Sequence, residues 1–122
     1  AWLEAELAAA EDKTPVIVQS GLENRAPIAR AALDLFLSIL GSEAGNLVLQ
    51  VLATGGVYLG GGIPPRILDE LRGETFHQAF VSKGRFTQLL DSTPVQVIVN
   101  SKAALFGAAN HCQQVLRGEL EY

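Results

Sequence analysis

The chain has 122 residues, of which 48% are hydrophobic, so it can form one compact domain with a buried core. Its formal net charge of −4 excludes the basic surface of a nucleic-acid-binding protein, and nucleic acid is not an expected partner. The single cysteine, Cys112, excludes an internal disulfide and a metal centre built from several thiolates, and this usage fits a reducing cytoplasm.

The amino-terminal residues lack the pattern of a targeting signal. They read AWLEAELAAAEDKTP, with the spacing of a helix and without the charged and then apolar segments of a signal peptide. The most apolar run, residues 47–63, is interrupted by Gln50, Thr54 and several glycines, so we expect no membrane span. Because methionine is absent and the helical pattern is under way at residue 1, we interpret the chain as part of a longer protein.

Two helices are predicted in the first half of the chain. Asn24 is placed to cap the first, Pro27 falls in its first turn, and Gly41 is expected to end it. The second, from Glu43 to about Thr54, is apolar on nearly all sides, which is typical of a helix buried within a domain. The apolar residues of the first recur at spacings of three and four: Ile28, Ala31, Ala32, Leu35, Phe36, Ile39 and Leu40.

Two short strands are predicted in the second half. VYLG at 57–60 and VQVIVN at 95–100 are rich in β-branched residues, and about 35 residues with helical segments around Ile67, Phe76 and Phe86 separate them. Two strands that are connected by a helical crossover lie parallel to each other in a sheet. The fold class is therefore α/β, helix-rich with two parallel strands, and residues 1–122 form one partial domain, because two strands alone leave edges unpaired.

A last helix follows the second strand. Asn100 or Ser101 is placed to cap it, and Gly118 to end it. The residues predicted to share its apolar face are Phe106, Ala109, Cys112 and Leu116.

The segment GGVYLGGGIPPRIL, residues 55–68, contains five glycines around the first strand. It does not match a phosphate-binding P-loop, because Gly61 and Gly62 stand where Lys and a hydroxyl residue belong. It does not match the dinucleotide fingerprint either, because Pro65 occupies the position of the third glycine. The helix start at Pro64 and Pro65 lacks N–H donors and is poorly equipped for an anion.

Two interpretations of this glycine cluster remain open from the residues alone. Glycine at the carboxyl end of a parallel strand lets the backbone lie against a flat, uncharged group such as a purine or ribose, and ligands bind at this end in open α/β sheets. Alternatively, the glycines permit a tight turn or close helix–strand packing, which is their commoner use.

Several motifs occur together in the order seen in one enzyme family. GGVYLGGGIPPRIL is followed by FHQAF, KGRF, PVQVIV and ALFGAA, and it is preceded by ARAALDLFLSILGSEAGNLVL. This order resembles the carboxyl-terminal part of the bacterial glucokinases, members of the sugar kinase and actin superfamily. The resemblance covers essentially the whole chain.

The resemblance implies the carboxyl-terminal part of an actin-like (ribonuclease H-like) ATPase domain, in a cytoplasmic, commonly homodimeric enzyme. It implies transfer of the γ-phosphoryl group of ATP to the 6-hydroxyl of D-glucose, with Mg²⁺. In this family a hydrophobic strand ending in Gly-Gly supports the adenosine half of ATP. Carried over by residue, that role falls to Gly61, Gly62 and Ile63, with Gly60 in place of the small residue that often stands first.

No catalytic residue or metal ligand is assigned within the chain. Phosphoryl transfer needs phosphate-binding loops, a magnesium site and a base near the sugar hydroxyl. The resemblance implies that all of these precede residue 1. The four aspartates, Asp12, Asp34, Asp69 and Asp91, are expected on solvated surfaces.

The other chemically reactive residues are interpreted as structural. His77 and His111 are 34 residues apart and lack a neighbouring ligand set. Lys83 and Arg85 carry charges that could bind phosphate. The favoured interpretation is that they are solvated basic residues in a loop that connects two helices. Cys112 is expected to fill core space.

Two other classes of function remain as alternatives. One is a non-catalytic, sugar-responsive regulator of the same superfamily, and the other is a helical dimerisation module. The residues upstream distinguish them, since a kinase requires a glycine-rich phosphate loop and a regulator carries a helix-turn-helix.

Overall fold

The structure is a computed structural model, and it describes residues 2–119. It contains seven α-helices, two short strands and two single-turn 3₁₀ helices within the described residues. In chain order they are α1 Trp2–Ala9, α2 Thr14–Leu22, α3 Pro27–Val51, β1 Val57–Leu59, a 3₁₀ turn Pro64–Ile67, α4 Leu68–Leu71, α5 Glu74–Val81, a 3₁₀ turn Gly84–Phe86, α6 Thr87–Asp91, β2 Val95–Val97 and α7 Ala103–Leu116.

The two strands form a parallel pair, as predicted. Val57 lies opposite Val95, Tyr58 opposite Gln96, and Leu59 opposite Val97. The intervening residues form the predicted helical crossover, with helical turns around all three predicted positions. In the described part of the chain the sheet has these two strands.

The core lies between α3, α5 and the strand pair. α3 crosses the backbone of α5 at two glycines one helical turn apart, Gly41 and Gly45. A Cβ built on Gly41 would lie 2.5 Å from the carbonyl oxygen of Phe76, and one on Gly45 would lie 2.5 Å from that of Phe80. The buried hydrophobic cluster consists of Leu33, Leu37, Ala44, Val48, Leu59, Ile67, Leu71, Phe76, Phe80, Val81 and Leu90.

The prediction that Gly41 ends a helix is wrong. α3 runs without a break from Pro27 to Val51, and the two predicted helices are one. Glycine weakens an isolated helix, but here its missing side chain allows the backbones of α3 and α5 to meet. Asn24 does not cap α3 either, because the residue before Pro27, Ala26, occupies the cap position and Asn24 lies in the preceding turn with φ 51°.

The core-facing side of α3 also differs from the predicted apolar face. The residues that α3 buries are Ala29, Leu33, Leu37, Gly41, Ala44, Gly45 and Val48. In contrast, Ile28, Leu35 and Ile39 of the predicted face are exposed. α3 is apolar on two sides, and periodicity alone does not determine which side faces the core.

The prediction that the second half of α3 is buried within the domain is wrong in part. Leu47, Val51 and Leu52 are exposed, and only one side faces α5. By length and mean hydropathy, 1.4 over its most apolar window, α3 qualifies as a candidate membrane span. The core helix of a water-soluble domain has the same properties, and α3 buries seven residues against this domain.

α7 ends as predicted but packs differently. Gly118 has φ 70° just beyond its end, the left-handed conformation that glycine adopts at helix termini. The helix begins at Ala103, one residue later than a cap at Ser101 requires. In the turn before it, Asn100 Oδ1 accepts a hydrogen bond from the Lys102 N–H at 2.9 Å. No residue of α7 is buried by the described part of the chain, and Cys112 is exposed instead of filling the core.

Candidate functional site

The glycine cluster lies in the loop that connects β1 to the first 3₁₀ turn. β1 ends at Leu59, whose carbonyl oxygen accepts a hydrogen bond from the Ile98 N–H at 2.9 Å. Gly60, Gly61 and Gly62 follow and are exposed. The loop therefore starts at the carboxyl end of the parallel strand pair, the edge where ligands bind in open α/β sheets.

The three loop glycines have different surroundings. A Cβ on Gly60 would lie 3.5 Å from the Ile98 side chain, an ordinary contact, whereas Gly61 and Gly62 have open space at the Cβ position. Gly61 has φ +104°, which side-chain-bearing residues rarely adopt, so the backbone turn itself requires glycine there. Gly62 has neither a positive φ nor a close neighbour, and the described part of the chain gives no conformational or packing reason for glycine at this position.

Ile63 and the prolines anchor the far end of the loop. Ile63 is partly buried and packs against the hydrophobic core, and its carbonyl oxygen accepts a hydrogen bond from the Arg66 N–H at 2.9 Å. Pro64 and Ile67 are buried in the turn that follows. The loop thus has one fixed end at β1 and another at Pro64, with the exposed glycine backbone between them.

An ion-pair cluster joins the helix after this turn to α3. The Arg30 guanidinium donates from Nη1 to Glu70 Oε1 at 2.9 Å and from Nη2 to Glu70 Oε2 at 2.7 Å. It also donates to Asp34 one turn along α3. These hydrogen bonds lower the pKa of the Glu70 carboxyl and raise the pKa of Arg30. The cluster fixes α4, and hence the end of the loop, against α3.

The aspartates make local contacts. Asp12 accepts a hydrogen bond from the Thr14 N–H at 2.9 Å, Asp69 lies 3.5 Å from Arg72, and Asp91 lies 3.2 Å from His77 Nε2. Asp12, Asp69 and Asp91 are exposed, as predicted, whereas Asp34 is half-buried beside Arg30. Within residues 2–119, groups of three or more His, Cys, Asp or Glu with the spacing of a metal site are absent.

The two basic residues of the KGRF segment differ from each other. The Lys83 ammonium donates to Ser42 Oγ at 3.0 Å, and its side chain packs beside Gly45 of α3. Lys83 is therefore part of the α3–α5 contact and not a freely solvated residue. Arg85 is exposed, and its guanidinium lies 5.0 Å from the centre of the Phe86 ring.

Sequence reasoning missed the Arg30–Glu70 pair. The partners are 40 residues apart, and the position of Glu70 beside Asp69 indicated only a solvated helix surface. The available signal was weak: Arg30 and Asp34 have the i, i+4 spacing of a helical ion pair, but that spacing does not identify a third partner.

Comparison with known proteins identifies the family. A model of the family described as glucokinase matches residues 2–115. The chain is 44% identical over 98 residues to a glucokinase of Synechocystis sp., 49% over 83 residues to one of Cupriavidus metallidurans, and 39% over 112 residues to one of Colwellia psychrerythraea. These alignments cover 80%, 68% and 92% of this chain.

A solved structure gives the same result. The crystal structure of a glucokinase from an Antarctic psychrotroph matches with a TM-score of 0.71 at 30% identity, over 88% of this chain and 35% of that one. The chain spans 28%, 25% and 32% of the length of the three relatives, so it corresponds to about a third or less of such a protein. With a family match over nearly its whole length and relatives of this similarity, the chain belongs to the glucokinase family.

Proposed function

We propose that this chain supplies the adenosine side of the ATP site in an enzyme that transfers the γ-phosphoryl group of ATP to the 6-hydroxyl of D-glucose. Membership of the glucokinase family supports the reaction. The observation that carries the role of this segment is Gly62. It is an exposed glycine after the carboxyl end of a parallel strand, and its φ and its neighbours among residues 2–119 give no reason for glycine there. A ligand that approaches the backbone supplies the missing reason.

The proposed domain is the carboxyl-terminal part of an actin-like, ribonuclease H-like ATPase domain. Residues 1–122 form one partial domain in this proposal. The parallel pair β1–β2 with its helical crossover supports it, because two strands with open edges are expected to continue into a larger sheet.

The proposed nucleotide contacts are Gly60, Gly61, Gly62 and Ile63. The backbone of Gly61 and Gly62 has room for a flat group, since nothing lies within 4 Å of their Cβ positions. Ile63 presents an aliphatic side chain suited to a purine or ribose face. The following turn begins with Pro64 and Pro65, which lack N–H donors, so this segment suits the nucleoside and not the phosphates.

The reacting end of the site is proposed to lie outside this chain. Mg²⁺ neutralises the phosphate charge in such a reaction, and a base accepts the proton of the sugar hydroxyl. The described aspartates pair with neighbouring basic or backbone groups, which supports ligands and base elsewhere in the enzyme. We expect the purified 122-residue chain alone to form no glucose 6-phosphate above background in a coupled assay.

The proposal is tested by steady-state kinetics of the enzyme that contains this chain. Gly62→Val adds a branched side chain where the nucleoside would lie, so the KM for ATP should rise about tenfold or more while the KM for glucose stays nearly unchanged. Gly55→Val is the matched control, because Gly55 also has open space and lies before β1. Equal ATP dependence in wild type and Gly62→Val, with only thermal stability reduced, would show that this glycine serves the turn.

A further inference from the structure

The glycine loop continues without interruption into α4. The 3₁₀ turn that follows the loop ends at Ile67 and α4 begins at Leu68, so no connecting residues separate the two. Residues 60–62 are exposed glycines, and a glycine backbone has more conformational freedom than any other. The path of the loop therefore depends on what holds its two ends, which are β1 on one side and the turn with α4 on the other.

α4 needs support from the rest of the domain because it is short. It consists of the four residues Leu68–Leu71, and an isolated helix of one turn is not stable in water. Burial supplies part of this support, since Ile67 and Leu71 are in the hydrophobic core. Apolar contacts are not directional, so they hold α4 on the core but contribute little to its orientation.

The Arg30–Glu70 pair supplies a directional contact. Each Glu70 oxygen accepts its own hydrogen bond from the Arg30 guanidinium, at 2.9 and 2.7 Å, and a two-bond pair of this kind fixes orientation as well as distance. The Arg30 and Glu70 side chains are 27% and 25% exposed, and partly buried pairs are screened less than exposed ones. Asp34 also accepts from the guanidinium and holds it against α3. The pair thus joins α4 to α3 in one orientation.

The other ion pair of α4 cannot have this effect. Asp69 lies 3.5 Å from Arg72, the residue that follows α4, and their side chains are 98% and 73% exposed. A local pair at the surface contributes little, and it does not connect α4 to another element. Of the three charged residues within 68–72, Glu70 is the one that bonds to α3.

We infer that Arg30 and Glu70 are positioning residues for ATP, because by joining α4 to α3 they keep the loop of residues 60–63 in the arrangement that accepts the nucleoside. This inference rests on the proposed function. The two side chains act through α4 and the turn Pro64–Ile67 and do not touch the nucleotide themselves. When only a fraction of the molecules has the binding arrangement, the apparent affinity falls by that fraction. Loss of the pair should therefore weaken ATP binding and leave the reaction at saturating ATP unchanged.

The first test removes the link in the enzyme that contains this chain. Glu70→Ala retains the helix propensity of α4 and leaves Arg30 paired with Asp34. We expect the KM for ATP to rise about five- to tenfold, which corresponds to a binding-competent fraction of about 0.1–0.2. The kcat and the KM for glucose should stay within about twofold of wild type. Asp69→Ala is the matched control, because it removes the neighbouring carboxylate of α4 without breaking the link, and it should retain the wild-type KM for ATP.

The second test is a double-mutant cycle. Arg30→Ala should raise the KM for ATP as Glu70→Ala does, and the double variant should show no more than about the larger single effect, because both changes remove the same contact. Asp34→Asn changes the other partner of Arg30 and keeps the link to α4, so it should retain the wild-type KM. A double variant whose increase equals the product of the two single increases would show that the residues act independently, which would overturn the inference.

The outcomes separate this inference from the proposed function. If Gly62→Val raises the KM for ATP but Glu70→Ala lowers only the melting temperature, the pair is merely structural and the inference alone is overturned. If Glu70→Ala raises the KM for ATP but Gly62→Val does not, the effect does not pass through the loop, and the inference is again overturned. If neither variant changes the KM for ATP, the proposed function fails together with the inference.

Discussion

The glycines on either side of β1 differ in why the structure requires glycine at each position. Gly56 has φ +123°, and a Cβ there would lie 2.9 Å from the Pro94 carbonyl oxygen, so both backbone conformation and strand pairing require it. Gly61 is required by its φ alone. Gly55 and Gly62 satisfy neither condition, but only Gly62 lies at the ligand-binding edge of the sheet.

Alanine substitutions should separate these reasons. In the enzyme that contains this chain, Gly61→Ala should lower the free energy of unfolding by about 1–2 kcal/mol, because alanine is strained at positive φ. Gly62→Ala and the control Gly55→Ala should change it by less than about 0.5 kcal/mol. Chemical denaturation measures all three, and a loss at Gly62 as large as that at Gly61 would contradict a ligand-based reason for Gly62.

The contact between α3 and α5 is the element on which the core depends. Two glycines on one side of α3, Gly41 and Gly45, bring the helices close enough for their backbones to touch. Phe76 and Phe80 of α5 stack with ring centres 6.1 Å apart and fill the core beside this crossing. The glycines thus act as interface residues, although they reduce the helix propensity of α3.

Gly41→Ala should therefore destabilise the domain. Its Cβ would lie 2.5 Å from the Phe76 carbonyl oxygen, so α5 must move, and we expect a loss of about 2–3 kcal/mol in the free energy of unfolding. Gly107→Ala is the control, because Gly107 lies within α7 with open space at its Cβ, and alanine there should stabilise the helix by about 0.5–1 kcal/mol. Thermal melts of the two variants that shift in the same direction would contradict this explanation.

The link between α3 and α4 should depend on pH. The Arg30 hydrogen bonds lower the pKa of Glu70 in the folded state, so the pair contributes stability above the ordinary pKa of glutamate, and this contribution is lost as the pH falls through the lowered value. Glu70→Gln should cost about 1 kcal/mol at pH 7 and progressively less in acid. Asp69→Gln, at an exposed neighbour, should have little effect at either pH. A Glu70→Gln cost that is the same at pH 7 and pH 3 would contradict the ion-pair interpretation.

The local elements were more predictable than their packing. β-branched runs and turn residues determine β1 and β2, and the crossover between them follows from chain order. The sequence does not reveal that Gly41 lies inside a helix, because that depends on a contact with Phe76, 35 positions away. For the candidate site, the position of the loop follows from its glycines, but the ion pair that fixes the helix after it does not, because Arg30 and Glu70 are 40 residues apart.

At the scale of the whole molecule, a large apolar surface is left uncovered. Ile28, Leu35 and Ile39 on α3 are exposed, and so are Leu105 and Phe106 on α7. Large exposed apolar patches are rare on monomeric proteins, so exposed apolar residues on two helices favour a covering partner. The sequence predicted that Cys112 of α7 fills core space, whereas it is exposed together with the apolar residues around it.

We therefore expect the isolated 122-residue chain to self-associate through these helices. Sedimentation equilibrium should give a mass above that of the monomer, 13.0 kDa, at micromolar concentration. The variant Leu35→Glu with Phe106→Glu should shift the equilibrium toward monomer by placing charge on both faces. A strictly monomeric wild-type chain at high concentration would mean that the domain tolerates this exposed surface. Homodimerisation of the longer enzyme remains a separate prediction.

The central claim is that the loop formed by residues 60–63 contacts the nucleoside of ATP. Photoaffinity labelling tests this claim most directly. The enzyme that contains this chain is irradiated with 8-azido-ATP, digested and mapped by mass spectrometry. We predict labelling within residues 60–67, with protection by excess ATP and not by glucose. ATP-protected labelling confined to peptides that lack residues 60–67 would contradict the claim.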